Sequence, residues 1–565
     1  MRDTLVLRPV TPGNSFFSFI SDHCKDEAAG VDINRSCHRL CTLMRKMGAK
    51  TAAIRALTPL DAEVKEECLA LRTYYDEEIP IEISKIFFFY DQLLEAEAHQ
   101  LETIDGDHLL AVATIINFER PINGANLPKS YIYSATVAVP LVDSPLHCRR
   151  LPLLNNYLHI AGHFSCGVPC CENKTRQFMV KGTFFCQQNG VTSVCAHSAL
   201  RMTINNMVSP SIPISSEDIN RVVGIDHVSD KIGFGDRKGL SVKEMTKVCR
   251  HFGLSYIVKN FGREPTLAYN DYIYKYIESR CPVILGFSTK GSSHHVVPIL
   301  GHTLNTDMWR PEAEPAYTIE EASRFERYKS ASAWVDHFLI NDDNFGMYFC
   351  MPVESLKNRD RVKPKSGTKT KGGHDADQSF TAELAVIVLP SASVTTAPWE
   401  PEWASIKILE KTLAFLQVHD IAFDHWTERI VSSILVTPPR PLVLRTFLVR
   451  KQEYSESLCV KDFEGNEFTP EDKELLLANL PELFWLSEMT LPDLYTANKT
   501  KIIDFYYGCN YPALKEFKEI EDRWIQIRFP GALFRQQGAE LRSEALSVKS
   551  HYPLLRFKSD TTLEW

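Results

Sequence analysis

Residues 184–207 read FFCQQNGVTSVCAHSALRMTINNM, and the fold expected for the middle of the chain follows from this stretch. Ala196, Ala199, Leu200, Thr203 and Met207 recur at helical spacing, which predicts a helix with Ser193 as its N-cap. Cys195 then falls in the first turn. Unpaired backbone N–H groups and the positive end of the helix dipole favour a thiolate there, and the thiolate is the nucleophile. Gln187 and Gln188 stand eight and seven residues upstream, where a side-chain amide can help hold an oxyanion. The bland reading of such a cysteine is a small buried apolar residue, so the sequence downstream has to decide.

Downstream, GLSVKEMTKVCRHFGL (239–254) reads as a helix with a Ser241/Glu244 capping box and Gly253 at C′. SYIVKNF (255–261) reads as a strand, LAYNDYIYKYIESR (267–280) as a helix and PVILGFS (282–288) as a strand. After the loop TKGSS comes HHVVPILGHT (294–303), a strand that begins with histidine. WVDHFLINDDNFGMYFCMPV (334–353) gives a strand, an acidic turn ending in Gly346 and a further strand.

A cysteine at a helix start, then helices, then a strand opened by histidine, then a strand closed by aspartate: this order resembles the papain-like cysteine peptidases. Within them it is most similar to the bacterial peptidases that remove double-glycine leaders from bacteriocins, over about residues 184–355. The resemblance implies a papain-like fold and a Cys-His-Asp triad working through a thioester. It makes Cys195 the nucleophile and His295 the general base, with Gly301 six residues further along the same strand. Asp342 in LINDDNFG becomes the residue that orients the imidazole, with Asn341 and Asp343 beside it, and Gln188 the oxyanion glutamine. The sequence also departs from the family pattern. The family's glutamine usually stands six residues before the cysteine, where this chain has Asn189, and Ala196 follows Cys195 where Gly or Trp is common. The interval from His295 to Asp342 is 342 − 295 = 47 residues and holds MWRPEAEPAYTIEEASRFERYKS, read as an inserted loop and helix. No GxxxxGK[ST] motif follows, which argues against a transporter-linked version.

The rest of the chain sets the frame. It has 565 residues, 44% apolar and 24% charged, which is ordinary for globular domains and excludes wholesale disorder. The net charge of −8 argues against nucleic acid as the main partner. No apolar run reaches the ~18 residues of a membrane span, and the N-terminal sequence lacks a secretory signal pattern. A cytoplasmic location is therefore expected, with most of the 15 cysteines reduced. HIAGHFSCGVPCC (159–171) brings His159, His163, Cys166, Cys170 and Cys171 together, with Cys186 a possible recruit. No second pair has a standard zinc spacing, so reduced thiols are the favoured reading. Cys37, His38 and Cys41 read the same way, and no metal or other cofactor is expected.

The expected fold class is α+β. Residues 1–80 read as a helical N-terminal region, with SCHRLCTLMRKMGAKTAAIRAL helical, and 81–183 as a β-rich region. Residues 184–356 form the catalytic domain, and 357–379 a basic linker with seven Lys/Arg before Gly372. Residues 380–565 form a C-terminal α+β domain in which AELAVIVL, SSILVT and VLRTFLVRK are strands and PEDKELLLANL a helix. The aromatic-rich LPELFWLSEMTLPDLYTANKTKIIDFYY (480–507) reads as core rather than as a partner surface. The function expected is a cysteine-dependent hydrolase (peptidase, isopeptidase or amidase) acting on a peptide or protein. The alternatives are an acyltransferase or glutamine deamidase on the same triad, and a non-catalytic scaffold.

Overall fold

Cys37, Leu40, Cys41 and Met44 repeat at helical spacing and turn one face of the helix Arg35–Lys46 (α1) into the core, while His38 points to solvent. The Asn34 side chain caps it by accepting from Ser36 N at 2.9 Å. The helix does not continue through the following alanines as the sequence suggests. Gly48, at φ 81°, turns the chain, and Thr51–Leu57 is a strand. Alanine's helix propensity loses here to packing: Ala52 and Ala53 are fully buried in a strand paired on both sides. The computed structural model describes residues 6–9, 16, 34–57, 62–75, 79–93, 101–122, 125–139, 156–171, 174–208, 210, 213–226, 239–263, 268–288, 294–304, 328–357, 380–418, 428–429, 431–432, 434, 441–462, 465–498, 500–512, 519–520, 523–537 and 540–556. The expected linker, but for Lys357, and most of the long insertion before Asp342 lie outside these residues.

The protein mixes helices and sheets, an α+β architecture. It divides into two compact units, each drawn from three segments. The first comprises Met1–Thr266, Pro282–His302 and His337–Val388. Its first sheet contains β1 (Val6–Pro9), β2 (Thr51–Leu57), β3 (Ile81–Phe89), β4 (Leu109–Ile122), β5 (Ala125–Ala138), β6 (Gly162–Cys171) and β7 (Lys174–Phe185). The strands are antiparallel, in the order β1-β2-β3-β4-β5-β7-β6. A second helix, α2 (Ala62–Tyr75), follows β2. The expected boundaries at 80/81 and 183/184 thus run inside one unit, and the helical reading of 1–80 is corrected to helices with two strands of a sheet.

The second sheet of this unit contains β8 (Ser255–Asn260), β9 (Val283–Ser288), β10 (His294–Thr303), β11 (His337–Asp342), β12 (Gly346–Pro352), β13 (Leu356–Lys357) and β14 (Phe380–Leu389). Its order is β12-β11-β10-β9-β14-β13, with β8 beside β14. The strand AELAVIVL therefore belongs to this sheet, not to the C-terminal domain where the sequence reading placed it. It runs antiparallel to β9, with Val283 opposite Ile387, and Ala385 through Leu389 are buried. A strand as apolar as VILGFS needs a neighbour on each side, and β10 supplies only one. Helix α3 (Cys195–Val208) is nearly all buried and packs on β6 and β7 of the first sheet and on β9 and β11 of the second. Helices α4 (Ser216–Val223) and α5 (Val242–His251) flank it, and both open with capping boxes, α5 with the expected Ser241/Glu244 pair.

The second unit comprises Leu267–Cys281, Thr303–Asp336 and Leu389–Trp565. Helix α6 (Tyr269–Glu278) and the segment between His302 and His337 belong here, not to the 184–356 domain expected from sequence. Tyr328–Ser330 adds a parallel edge strand to β15 (Leu442–Arg450). β16 (Leu483–Thr490), β17 (Ile503–Gly508), β18 (Ile525–Phe529), β19 (Ala532–Gln537) and β20 (Glu540–Ala545) continue the sheet in sequence order, all antiparallel. Helices α7 (Trp399–Val418), α8 (Lys451–Ser457) and α9 (Pro470–Leu477) complete the unit. Phe484, Trp485, Phe505 and Tyr506 are fully buried, so the aromatic stretch is core. Within SSILVT, Ser432 and Ile434 are helical rather than extended. Among the described residues, no helix is long and apolar enough to cross a membrane.

Candidate active site

Helix α3 begins at Cys195 itself, which leaves its backbone N–H among the first-turn donors without an intrahelical partner. Ser193 is not the cap. Its hydroxyl accepts from Asn189 N at 3.0 Å, and its N–H is one of three, with those of Val191 and Thr192, gathered by the Asn189 side-chain oxygen. Asn189 Nδ2 in turn donates to the buried Glu67 carboxylate of α2 at 2.8 Å. The residue at the family's glutamine position is thus spent on building the loop that delivers Cys195. Inside α3, His197 Nδ1 accepts from Val194 N at 3.3 Å and its Nε2 contacts Asn220 Oδ1 at 2.9 Å, tying the helix start to α4.

His295, near the start of β10, stands opposite Phe287 of β9, and the two rings meet edge to face at 5.5 Å. The Cys195 side chain neighbours the imidazole closely enough to favour its protonated form. The imidazole Nε2 faces Asp342 Oδ2 at 3.3 Å and Asp343 Oδ1 at 3.5 Å. Burial works against a charged ring, but the contacts with Asp342 and Cys195 and the charges of Asp343 and Asp342 outweigh it and raise its pKa to about 10. Cys195 itself is half-buried, open enough for a substrate to reach.

The acidic turn separates the three neighbouring candidates. Asn341 is fixed to the backbone, accepting from Tyr348 N at 3.1 Å and donating to Phe184 O at 3.2 Å. Asp342 uses Oδ1 to accept from Asn344 N and Phe345 N at 2.7 and 3.2 Å, which leaves Oδ2 for the imidazole. Asp343 is 2% exposed, and neither carboxylate oxygen has a hydrogen-bond partner among the described residues. Burial pushes its carboxyl up to about 7, moderated by His295 and reinforced by the Asp342 charge. The sequence reading kept Asp343 as an alternative to Asp342 and did not foresee that both would face the imidazole. The His295 nitrogen and the two carboxylates lie within 4.8 Å of one another, near enough for a shared cation as well as for a proton relay. The thiol on the same imidazole favours the relay.

The two glutamines also separate. Gln187 is buried, with Oε1 accepting from Ile132 N and Nε2 donating to Asp343 O, both at 2.9 Å. Gln188 is half-buried, and its side chain makes no hydrogen bond among the described residues. It is the one of the pair left available to a substrate. The β11–β12 turn is held from α1: Arg39 donates to Met347 O at 3.1 Å and Tyr348 O at 2.6 Å. A Cβ on Gly346, at φ 104°, would fall 2.7 Å from Arg39 Cβ. Gly346→Ala should therefore cost about 2 kcal/mol, read as a lower midpoint in urea unfolding.

The histidines and cysteines of 159–171 whose side chains are described are spread over both faces of β6 and the residues before it. On β6, Cys166 is buried and His163 points the other way, to solvent. His159 meets His302 at 3.0 Å, and the side chains of Cys170 and Cys171 lie outside the description. Cys37 and Cys41 face the core while His38 faces out. Comparison with protein-family models and with curated proteins finds no match.

Proposed function

We propose that the first unit is a papain-like cysteine hydrolase that cleaves a peptide, isopeptide or side-chain amide bond through Cys195. One observation carries the reading: a half-buried cysteine at the first residue of a buried helix neighbours an imidazole whose Nε2 faces an anchored carboxylate. With Nε2 directed at Asp342, the other ring nitrogen is left for the thiol. His295 takes the Cys195 proton and Asp342 stabilises the imidazolium. The thiolate adds to the substrate carbonyl, and the oxyanion is received by the Cys195 N–H and the Gln188 amide. His295 then protonates the leaving amine, a thioester remains, and water releases the acid.

Hydroxylamine tests the thioester whatever the acceptor, because it intercepts the acyl group as a hydroxamate. Peptide-library digests with the full chain should yield cleaved peptides in water and hydroxamates when hydroxylamine is added. Cys195→Ser should give neither. Hydroxamate without cleavage in water would move the reading to acyl transfer, and neither product from the wild type would defeat it. Gln188→Ala should lower turnover about tenfold to a hundredfold with little change in stability. Gln187→Ala should instead weaken the fold, because both ends of its amide are hydrogen-bonded.

A further inference from the structure

A cavity of about 490 Å³ opens in the second unit, within the size range of small-molecule sites. Its floor is polar and buried: Tyr454, Lys501, Asp504 and Arg528. Its walls are apolar, with Leu458, Phe468 and Leu555 among them. Val460, 47% exposed, stands at its mouth. Charged groups are rarely left on the wall of an apolar hollow without something to bind.

The lining offers donors, and its buried acceptors without a hydrogen bond among the described residues are Asp504 Oδ1, which is ion-paired, and the Tyr552 hydroxyl. Asp504 Oδ2 accepts from Arg528 Nε and Nη2 at 3.0 and 2.8 Å and from the Tyr454 hydroxyl at 3.2 Å. Asp504 Oδ1 pairs with Lys501 Nζ at 2.9 Å. Lys501 makes one further contact, to Glu488 Oε1 at 2.8 Å, which leaves its third N–H. Arg528 Nη1 has no partner among the described residues. The wider cluster is balanced, since Arg445 and Glu278 continue it behind Glu488. The cavity itself is lined by three cations, Lys501, Arg528 and Arg556, and two carboxylates, Asp504 and Glu456, which leaves one positive charge in excess. The Arg528 guanidinium lies over the stacked rings of Tyr552 and Phe468, at 5.3 and 5.7 Å from their centroids.

We propose that this cavity binds a small amphipathic monoanion, an apolar body ending in one carboxylate, which accepts from Arg528 Nη1 and Lys501 Nζ while its body lies against Leu458, Phe468 and Leu555. Decanoate is a suitable probe, and decanamide its uncharged counterpart. In calorimetric titration of the full chain, decanoate should bind saturably with a dissociation constant below about 1 mM, and decanamide at least about tenfold more weakly. Val460→Trp fills the mouth from an exposed position and should abolish binding while thermal melting stays as in the wild type. Arg528→Lys keeps the charge and removes Nη1, and should weaken decanoate without affecting decanamide. Equal binding of acid and amide, decanoate binding undiminished in Val460→Trp, or no saturation up to ~10 mM would each overturn the proposal.

Discussion

In His295→Ala, alkylation of Cys195 by iodoacetamide at pH 6 should fall by about two to three orders of magnitude. An ordinary thiol, with a pKa near 8.5, is roughly 0.3% thiolate at that pH. The proposed thiolate–imidazolium pair would relieve that shortage. The gain in thiolate is partly returned as lower intrinsic nucleophilicity, so the net difference is smaller than the ionisation ratio. The imidazolium is secure at pH 6, because the groups around His295 raise its pKa to about 10. The protein carries its own controls. Cys459 is exposed and serves as the accessible reference thiol. Cys68, Cys166, Cys186 and Cys249 are buried, and burial pushes each of them up to about 11. Tryptic mapping after limited labelling should find Cys195 first at pH 6 and Cys459 gaining on it towards pH 9. Equal rates for Cys195 and Cys459 across this range, unchanged by His295→Ala, would leave the fold as a scaffold without a working nucleophile.

The parts of this site that the sequence displays are those governed by local rules. A histidine pair opening an apolar strand, an acidic turn closed by a glycine and a capping box four residues long are all visible without tertiary information, and His295, Asp342 and Ser241 sit where those rules put them. What was hidden depends on distant partners. Ser193 looks like an N-cap until Asn189, four residues earlier, takes its hydroxyl, and Asn189 is held by Glu67 from another element. Ala52 and Ala53 look helical until two neighbouring strands pair with theirs. β14 looks like the start of a new domain because a long polar stretch precedes it, yet the open edge of β9 claims it. Composition marks a break in local structure, and it does not mark which sheet the chain re-enters. The long interval between His295 and Asp342 has the same origin, since much of it belongs to the second unit.

Asp343→Asn should stabilise the first unit at pH 8 and leave it unchanged below about pH 4. The Asp343 carboxyl is buried, adjoins the ionised Asp342 and titrates near 7, well above an exposed aspartate. Between about pH 4 and 7 the folded protein therefore holds a proton that the unfolded chain has released. The stability this confers is complete below about pH 4 and is lost as the pH rises through 7, by up to a few kcal/mol. An asparagine carries no proton to lose and removes that slope. Its amide replaces oxygens that lack hydrogen bonds among the described residues, and what it gives up is the Asp343 charge beside His295. His295 contributes in the same sense but at higher pH, because its raised pKa keeps it charged until about 10, so the two groups separate along the pH axis. Urea unfolding followed between pH 4 and 10 should show a decline between about pH 4 and 7 in the wild type that Asp343→Asn lacks, and a further decline above about pH 6.5, owed to His295, in both. Cys195 labelling should survive in Asp343→Asn and drop about tenfold or more in Asp342→Ala, which removes the anchored carboxylate. The reverse pattern, with labelling lost in Asp343→Asn and kept in Asp342→Ala, would make Asp343 the partner of the imidazole and reduce Asp342 to a turn residue holding Asn344 N and Phe345 N.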